Sequence, residues 1–179
     1  MANSCLSDYT LAGIGFDCNA NLAGIKEVYI TYFNNATPAI NLTAHTVSAV
    51  TLSDNAKWYT YEFARNTGSL NSTLTKDEAN GTRYYTNTLE LVFNKLSAAK
   101  HLEVEALAAE KLAVIVEDWN GKRWYLGADQ YVSGSAEEAG TGTSADDRNG
   151  YTVTIDGTSA YLPFEFTGTI EPEPAPTEN

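Results

Sequence analysis

The chain has 179 residues, with 23 Asp or Glu against 11 Lys or Arg, so its formal net charge is −12. A surface of that sign is unfavourable for binding nucleic acid, because phosphates require cations. No apolar run reaches the length of about 18 residues that indicates a membrane-spanning helix. The 43% of hydrophobic residues are ample for the core of one domain.

The chain is predicted to divide into three parts. Residues 1–24 lack periodicity and are expected to form an N-terminal arm, without the basic and apolar regions of a secretion signal. Residues 25–168 hold the alternating segments of a single β-rich domain. Residues 171–179 carry three of the five prolines and three glutamates, which predicts a disordered acidic, Pro-rich tail over residues 169–179.

The first strands are predicted from aromatic and β-branched residues. Residues 25–33 form a strand, and Pro38 with its Asn and Thr neighbours breaks the pattern. Residues 47–52 form a weaker strand, and residues 57–65 form the next one. Within that strand one set of alternate residues is the expected core face: Tyr59, Tyr61, Phe63 and Arg65.

Residues 66–83 form a long polar stretch between two strong strands. It contains a possible strand at 69–74 and a charged tip at 76–81. An excursion of this length in a compact domain is often functional, and disorder is the alternative.

The helix and the strand before it are the most regular part of the sequence. Residues 84–93 predict a strand whose Leu89, Leu91 and Phe93 point inward. Ser97 is the expected N-cap of the one helix, at about residues 97–110. Its predicted apolar stripe contains Leu102, Ala106 and Ala109, widened by Val104, Leu107 and Ala108.

The remaining segments predict strands joined by turns and one long loop. Residues 112–118 are almost continuously apolar, which indicates a central strand, and Asn120-Gly121 predicts a type I′ turn into a strand at 123–128. Residues 133–149 are expected to form a loop. Residues 151–155 alternate and precede a turn at Asp156-Gly157, and Pro163 places the strand at 161–166 on a sheet edge.

About seven or eight strands and one helix indicate a mainly β fold. The expected architecture is an antiparallel β-sandwich or small barrel with one flanking α-helix.

No catalytic, cofactor-binding or metal site is predicted. His45 and His101 lack partners at ligand spacing, and no nucleophile elbow, P-loop or dinucleotide fingerprint is present. Residues 146–150 with Glu137 and Glu138 could hold calcium, but the spacing matches no EF-hand loop and favours a solvated turn. Cys5 and Cys18 are either reduced thiols, the expected state, or a disulfide. We therefore expect a protein that is not an enzyme and uses no cofactor.

Several segments resemble structural proteins of phages that infect Bacteroides-like bacteria. They include Leu-Ser-Ala-Ala-Lys-His-Leu-Glu-Val-Glu-Ala-Leu-Ala at 96–108 and Leu-Ala-Val-Ile-Val-Glu-Asp-Trp-Asn-Gly-Lys-Arg-Trp-Tyr-Leu-Gly at 112–127. Residues 142–155, Phe16-Asp-Cys18 and residues 24–30 are similar to the same group. Within that group the chain resembles the tail tube proteins, also called major tail proteins.

The resemblance implies a virion protein that self-assembles into rings, hexameric in that family, which stack into a hollow tail tube. The partners would be copies of itself and other tail proteins, with DNA passing through unbound and no membrane involved. Such a protein is made in the bacterial host cytoplasm and resides in the virion tail. The alternatives are a head decoration or tail-completion ring, and, from the abundant aromatics, a carbohydrate-binding β-sandwich.

A tube subunit needs a projecting element that contacts its neighbours, and residues 66–83 are the candidate. The N-terminal arm is expected to contact neighbouring subunits as well. An acidic excess also suits a channel that must not hold DNA. The candidate interface residues are Asn66, Thr67, Ser69, Leu70, Asn71, Thr73, Leu74, Lys76, Asp77, Glu78 and Arg83.

Overall fold

The computed structural model of the chain describes residues 11–53 and 55–176, without the side chain of Glu137. Within these residues the chain forms twelve strands and one α-helix. The first strands are β1 (Ile25–Tyr32), β2 (Ala36–Asn41), β3 (Thr46–Leu52), β4 (Trp58–Tyr61), β5 (Ser69–Asp77) and β6 (Thr82–Asn94). There follow α1 (Ala98–Ala109), β7 (Leu112–Asp118), β8 (Arg123–Leu126), β9 (Ser133–Gly140), β10 (Gly150–Ser159), β11 (Phe164–Phe166) and β12 (Pro172–Glu173).

The strands form two sheets, which confirms the predicted mainly β sandwich with one helix. The larger sheet, sheet A, has the order β12-β4-β1-β7-β8-β11-β3-β2, and the smaller, sheet B, has the order β5-β6-β10-β9. Antiparallel pairs dominate, as predicted, but β11 pairs with β3 and β12 with β4 in parallel.

Alternate residues of the central strand β7 enter two separate hydrophobic clusters. Leu112, Val114 and Val116 join cluster 1, which also includes residues of sheet B and the helix. Ala113 and Ile115 point to the opposite face and join cluster 2. Because both faces are covered, the strand is continuously apolar, as its sequence indicates. Each fully buried aliphatic side chain of this kind stabilises the fold by about 1.5–3 kcal/mol.

Cluster 2 brings together the two ends of sheet A. Trp58 of β4 lies toward one end of the strand order and Val47 of β3 toward the other, and both are buried in this cluster with Phe164. Sheet A therefore rolls around cluster 2, while cluster 1 fills the space between sheet A, sheet B and the helix. Because both faces of β4 are packed, the predicted core face is only partly right. Tyr61 and Phe63 pack on cluster 1, but Tyr59 is 44% exposed, whereas Trp58 on the other face is 3% exposed.

The helix begins where the sequence predicts. The Ser97 side chain accepts a hydrogen bond from the Lys100 amide at 3.3 Å, an N-cap contact. Val104 and Leu107 are the buried helix residues. Leu102 is 70% exposed and Ala108 and Ala109 are also exposed, so the predicted stripe is wrong at these three positions. The helix packs close to β9, where a Cβ on Gly134 would lie 2.7 Å from the Leu107 carbonyl oxygen.

Two segments predicted as breaks are strands. Pro38 lies inside β2, an edge strand of sheet A, which is where a strand tolerates proline. Residues 133–140, predicted as part of a loop, form β9 and pair with β10. The sequence of β9 contains no β-branched or aromatic residue, and its strand conformation is set by the available edge of β10.

Three turn or edge predictions also need correction. Four residues, Trp119 to Lys122, separate β7 from β8. Gly121 has a positive φ, of 76°, but Asn120 does not, so the turn is not type I′. Asp156 and Gly157 do not turn but continue β10, opposite Thr88 and Asn87 of β6. Pro163 precedes β11, which lies inside sheet A between β8 and β3, not at its edge.

The two ends of the described chain lie against the domain at specific points. Residues 11–24 have no helix or strand, and residues 1–10 of the predicted arm lie outside the described part. Part of the predicted tail is ordered: Pro172 and Glu173 form β12 beside β4, Ile170 packs on cluster 2, and Lys57 pairs with Glu173.

Candidate subunit interface

The stretch predicted to contact neighbouring subunits folds into a long hairpin of β5 and β6. The two strands pair from Ser69 opposite Glu90 to Asp77 opposite Thr82. The next strand, β10, accompanies β6 only as far as Tyr85, opposite Ser159. The distal part of the hairpin, residues 75–84, therefore projects beyond the rest of sheet B.

β5 is an edge strand. It pairs with β6 on one side and has no partner strand on the other within the described residues. The amide and carbonyl groups along that side are available to another strand, which makes the edge a template for pairing with a second chain. The side chains of residues 71–77 are all exposed.

One face of the hairpin is continuous with the core. Leu70 lies opposite the buried Leu89 and packs on cluster 1, and the Ser72 hydroxyl donates to the Asn87 amide oxygen at 2.7 Å. Further out on the same face, Leu74 lies opposite Tyr85 and is 48% exposed. The apolar character of the inner face thus extends past the point where the core ends.

Charged residues dominate the end of the hairpin. The Lys76 ammonium pairs with Glu78 at 2.6 Å, and the Arg83 guanidinium carbon lies 5.8 Å from the centre of the Tyr85 ring. Asp77 accepts hydrogen bonds from the amides of Ala79 and Asn80, which close the turn and lower the pKa of its carboxyl group. The turn is therefore held in one shape by its own side chains.

The predicted interface residues divide into three groups. Asn66, with a φ of 64°, and Thr67, whose hydroxyl donates to the Ala64 carbonyl, form the turn that leads into the hairpin. Leu70 packs on cluster 1 and is not available for a subunit contact. The hairpin brings the others together on its exposed strands and tip: Ser69, Asn71, Thr73, Leu74, Lys76, Asp77, Glu78 and Arg83.

A groove of about 580 Å³ lies where β5 begins. Its lining includes Ser69–Ser72, Leu162 and Pro163 before β11, and Leu22 from the N-terminal segment. His45 also lines the groove; its Nε2 is 3.1 Å from the Leu162 carbonyl oxygen, and its ring stacks on Phe164. These contacts give His45 a structural role in holding the groove wall.

The N-terminal segment is anchored beside this groove. The Asn120 side chain accepts from the Leu22 amide at 2.9 Å and donates to the Leu22 carbonyl oxygen at 3.0 Å. Beyond this anchor, three large apolar side chains lie almost wholly in solvent: Leu11, Ile14 and Phe16 are 101%, 103% and 93% exposed. Such a set is unfavourable in water unless another surface covers it.

The histidines and acidic residues that the sequence offers for chemistry do not converge within the described residues. Among the described residues no cluster of His, Cys, Asp and Glu has the arrangement of a metal site. His101 lies on the helix with its ring against Tyr151. Asp147, one of the residues considered for calcium, accepts three hydrogen bonds from Thr143 and Ser144, which lower the pKa of its carboxyl group and hold a turn.

Cys18 is an exposed thiol, and Cys5 lies outside the described residues, as does any pairing between the two. None of the helices in the described part of the chain is long and apolar enough to cross a membrane.

Two features of this region are absent from the sequence prediction. The exposed apolar residues of the arm are visible as an i, i+2 pair at Ile14 and Phe16, but no periodic context distinguishes them from core residues. The anchor at Asn120 depends on contacts across about a hundred positions, which local patterns do not reveal. A scan of the sequence against protein-family models and a search of curated proteins each returned no match.

Proposed function

We propose that this protein is a virion structural subunit that self-assembles into stacked rings, forming a tail tube through which DNA passes. The proposal rests on the resemblance of segments 96–108, 112–127 and 142–155 to phage tail tube proteins. The observation that carries it is the projecting β5–β6 hairpin, with its unpaired strand edge, beside an arm of exposed apolar residues.

Both elements have the properties expected of assembly surfaces. The edge of β5 can extend a sheet into a neighbouring subunit through main-chain hydrogen bonds. Leu74, exposed on the inner face of the hairpin, and Phe16 on the arm supply apolar area that a neighbour would bury. The net charge of −12 supports passage of DNA without binding, because like charges repel.

Electron microscopy of the purified full-length protein tests the proposal. Hollow filaments of uniform diameter are the expected result for a tube subunit. Isolated rings that do not extend would favour a tail-completion ring or head decoration protein instead. A monodisperse monomer that binds glycans saturably would overturn the proposal in favour of a carbohydrate-binding module.

The role of the hairpin is tested by shortening it. Replacing residues 76–83 with Asn-Gly would join Thr75 to Tyr84, which already lie opposite each other, through a two-residue turn. The shortened protein should keep the wild-type melting temperature, because the removed residues are exposed. It should form no filaments; filaments of normal length would exclude a role for the tip in assembly.

Two point variants compare the faces of β5. Leu74→Asp places a charge on the inner face, and Thr73→Asp places the same charge on the opposite face of the same strand. Both side chains are exposed, so neither change should alter folding. If the inner face forms the contact, Leu74→Asp abolishes filaments and Thr73→Asp does not.

A further inference from the structure

A second cavity lies between sheet A and the helix. It has a volume of about 230 Å³, which is room for a group considerably larger than one water molecule. Three tyrosines and one carboxylate line it, with an aliphatic floor. The aromatic and acidic lining residues are Tyr32, Tyr59, Tyr61 and Glu103.

The strand register explains why the tyrosines converge. Tyr59 lies opposite Ile30, and Tyr61 lies opposite Val28, in the antiparallel pair of β4 and β1. Val28 and Ile30 both belong to cluster 1, on the face toward the helix. Residues two apart on a strand share a face, so Tyr32 points the same way as Ile30.

Two of the rings are accessible from solvent. Tyr32 is 41% exposed and Tyr59 is 44% exposed, although both are large and partly apolar side chains. Tyr61 lies deeper, with its ring 6.3 Å from Phe93 of β6. The cavity is therefore open at a rim formed by aromatic rings and closed at its base by Leu107, Leu112 and Ile30.

The carboxylate of Glu103 is already oriented by this cluster. The Tyr61 hydroxyl donates a hydrogen bond to Glu103 Oε1. Burial and this bond raise the pKa of the Tyr61 phenol, so the ring stays neutral and keeps the electron-rich face that attracts cations. The second oxygen, Oε2, has no hydrogen-bond partner among the described residues.

We propose that this cavity binds an alkylammonium group, held by the faces of the three tyrosine rings and paired with the Glu103 carboxylate. Aromatic faces combined with one carboxylate are the arrangement that recognises ammonium ligands in proteins. Beyond the tyrosines and Glu103, the lining holds one polar residue, Thr31, and four aliphatic ones, Ile30, Ala106, Leu107 and Leu112. A sugar would require more polar side chains than this for its hydroxyls.

The protein's own nearby cation does not fill the site. Lys57 adjoins Tyr59, but its ammonium forms an ion pair with Glu173 of β12. The acidic surface as a whole favours the approach of a cationic ligand. The bound ammonium group could belong to a lysine side chain or to a small quaternary amine. Both carry a positively charged alkylammonium group that the rings can contact in the same way.

Nuclear magnetic resonance titration of the full chain tests the inference, with tetramethylammonium chloride and Nα-acetyl-lysine amide as probes. The expected result is a saturable shift of the resonances of Tyr32, Tyr59 and Tyr61 with at least one probe, and the tighter probe identifies the source. Sodium chloride at equal ionic strength and methyl glucoside are the controls. Tyrosine shifts no larger than those with sodium chloride, or saturation by methyl glucoside instead, would overturn the inference.

Point variants distinguish specific binding of the cation by the tyrosine rings and Glu103 from non-specific binding of the probes. Glu103→Gln should weaken probe binding about tenfold, whereas Glu105→Gln, an exposed helix position outside the cavity, should leave it unchanged. Tyr59→Phe keeps the ring face and should retain binding, while Tyr59→Leu removes it and should weaken binding about three- to tenfold. Equal weakening by Phe and Leu would assign the contact to the hydroxyl and contradict the cage.

Discussion

Glu117 of β7 and Arg123 of β8 lie directly opposite each other across the hairpin, with the Arg123 Nε donating to Glu117 Oε2 at 2.8 Å. The other carboxylate oxygen accepts from the Lys26 ammonium of β1 at 2.5 Å. Glu117 is only 6% exposed, so three adjacent strands of sheet A are tied together by one nearly buried carboxylate. Removing either cation would leave the buried negative charge of Glu117 without full compensation and would destabilise the fold.

This relationship predicts how stability depends on pH. Burial alone would raise the pKa of Glu117, but the bonds from Lys26 and Arg123 outweigh it and lower the pKa below 4.5. A lowered pKa means that its stabilisation is complete above about pH 4.5 and is lost as the pH falls through the folded-state value. Glu117→Gln should reduce the free energy of unfolding by about 2 kcal/mol at pH 7.

Urea unfolding of wild type and Glu117→Gln between pH 7 and about pH 3 measures this effect. The difference between the two proteins should shrink as the pH falls, because the wild-type carboxylate becomes protonated. Glu105→Gln, at an exposed position, is the matched control and should follow the wild-type curve. A difference that stays constant with pH would contradict the assigned role of the carboxylate.

Two buried hydroxyl groups lack hydrogen-bond partners within the described chain, and we expect their removal to stabilise the protein. Thr31 Oγ1 and the Tyr125 hydroxyl have no hydrogen-bond partner within the described chain, and the residues are 2% and 1% exposed. Burial also raises the pKa of the Tyr125 phenol, so it remains neutral. Replacing each group with an apolar one of similar shape removes an unpaired polar atom, and Thr31→Val and Tyr125→Phe should each stabilise by about 1 kcal/mol.

Thr152 provides the comparison. It is buried to a similar degree, at 9% exposed, but its hydroxyl is 2.7 Å from the Arg148 guanidinium, which donates to it. Thr152→Val should therefore destabilise by about 1 kcal/mol. Thermal unfolding of the three variants checks the sign in each case; destabilisation by Thr31→Val would mean that its hydroxyl is bonded in solution, for example to a buried water.

We expect substitution by alanine to destabilise the protein at Gly134 but to have little effect at Gly140, although both glycines lie on β9. A Cβ on Gly134 would lie 2.7 Å from the Leu107 carbonyl oxygen of the helix, and that backbone atom cannot move independently. At Gly140 the nearest atom is 3.8 Å away, at the end of the Glu138 side chain. Gly134→Ala should cost about 1–3 kcal/mol, while Gly140→Ala should change stability by less than about 1 kcal/mol.

Chemical denaturation measures both variants, and circular dichroism shows whether Gly134→Ala displaces the helix. Equal small effects at the two glycines would indicate that β9 and the helix separate at little cost. That outcome would also change the interpretation of the cavity beside the helix, whose wall depends on the helix position.

Local patterns predicted the elements whose own side chains determine them. Ser97 and the good helix formers after it specify the helix, and the apolar run at 112–118 specifies the central strand. The composition of β9 does not favour a strand, so the sequence does not predict it. Its residues form a strand because they pair with the edge of β10, and Gly134 allows the helix to pack close to it. Asp156-Gly157 has the composition of a turn, but Gly157 fits close to Val132 inside a strand.

The hairpin and the tyrosine cavity also differ in how far the local sequence predicts them. The polar excursion at 66–83 was predictable as an unusual segment, but its hairpin form follows from register with β6. The tyrosine cavity was not predictable, although Tyr59 and Tyr61 were assigned to one face. Its other members come from β1, β7 and the helix, so only the tertiary packing of these elements against β4 brings Tyr32 and Glu103 beside them.

The arm allows folding and assembly to be separated. Ile14 and Phe16 are 103% and 93% exposed, so replacing both with serine removes no contact within the described chain and should leave the melting temperature unchanged. If neighbouring subunits bury these side chains, the double variant should stay monomeric in sedimentation velocity at concentrations where wild type associates. Leu102→Ser is the control, since Leu102 is 70% exposed on the helix and the change removes exposed apolar surface outside the arm. Association of the double variant at the wild-type concentration would show that the arm makes no contact between subunits and would leave the hairpin as the sole candidate.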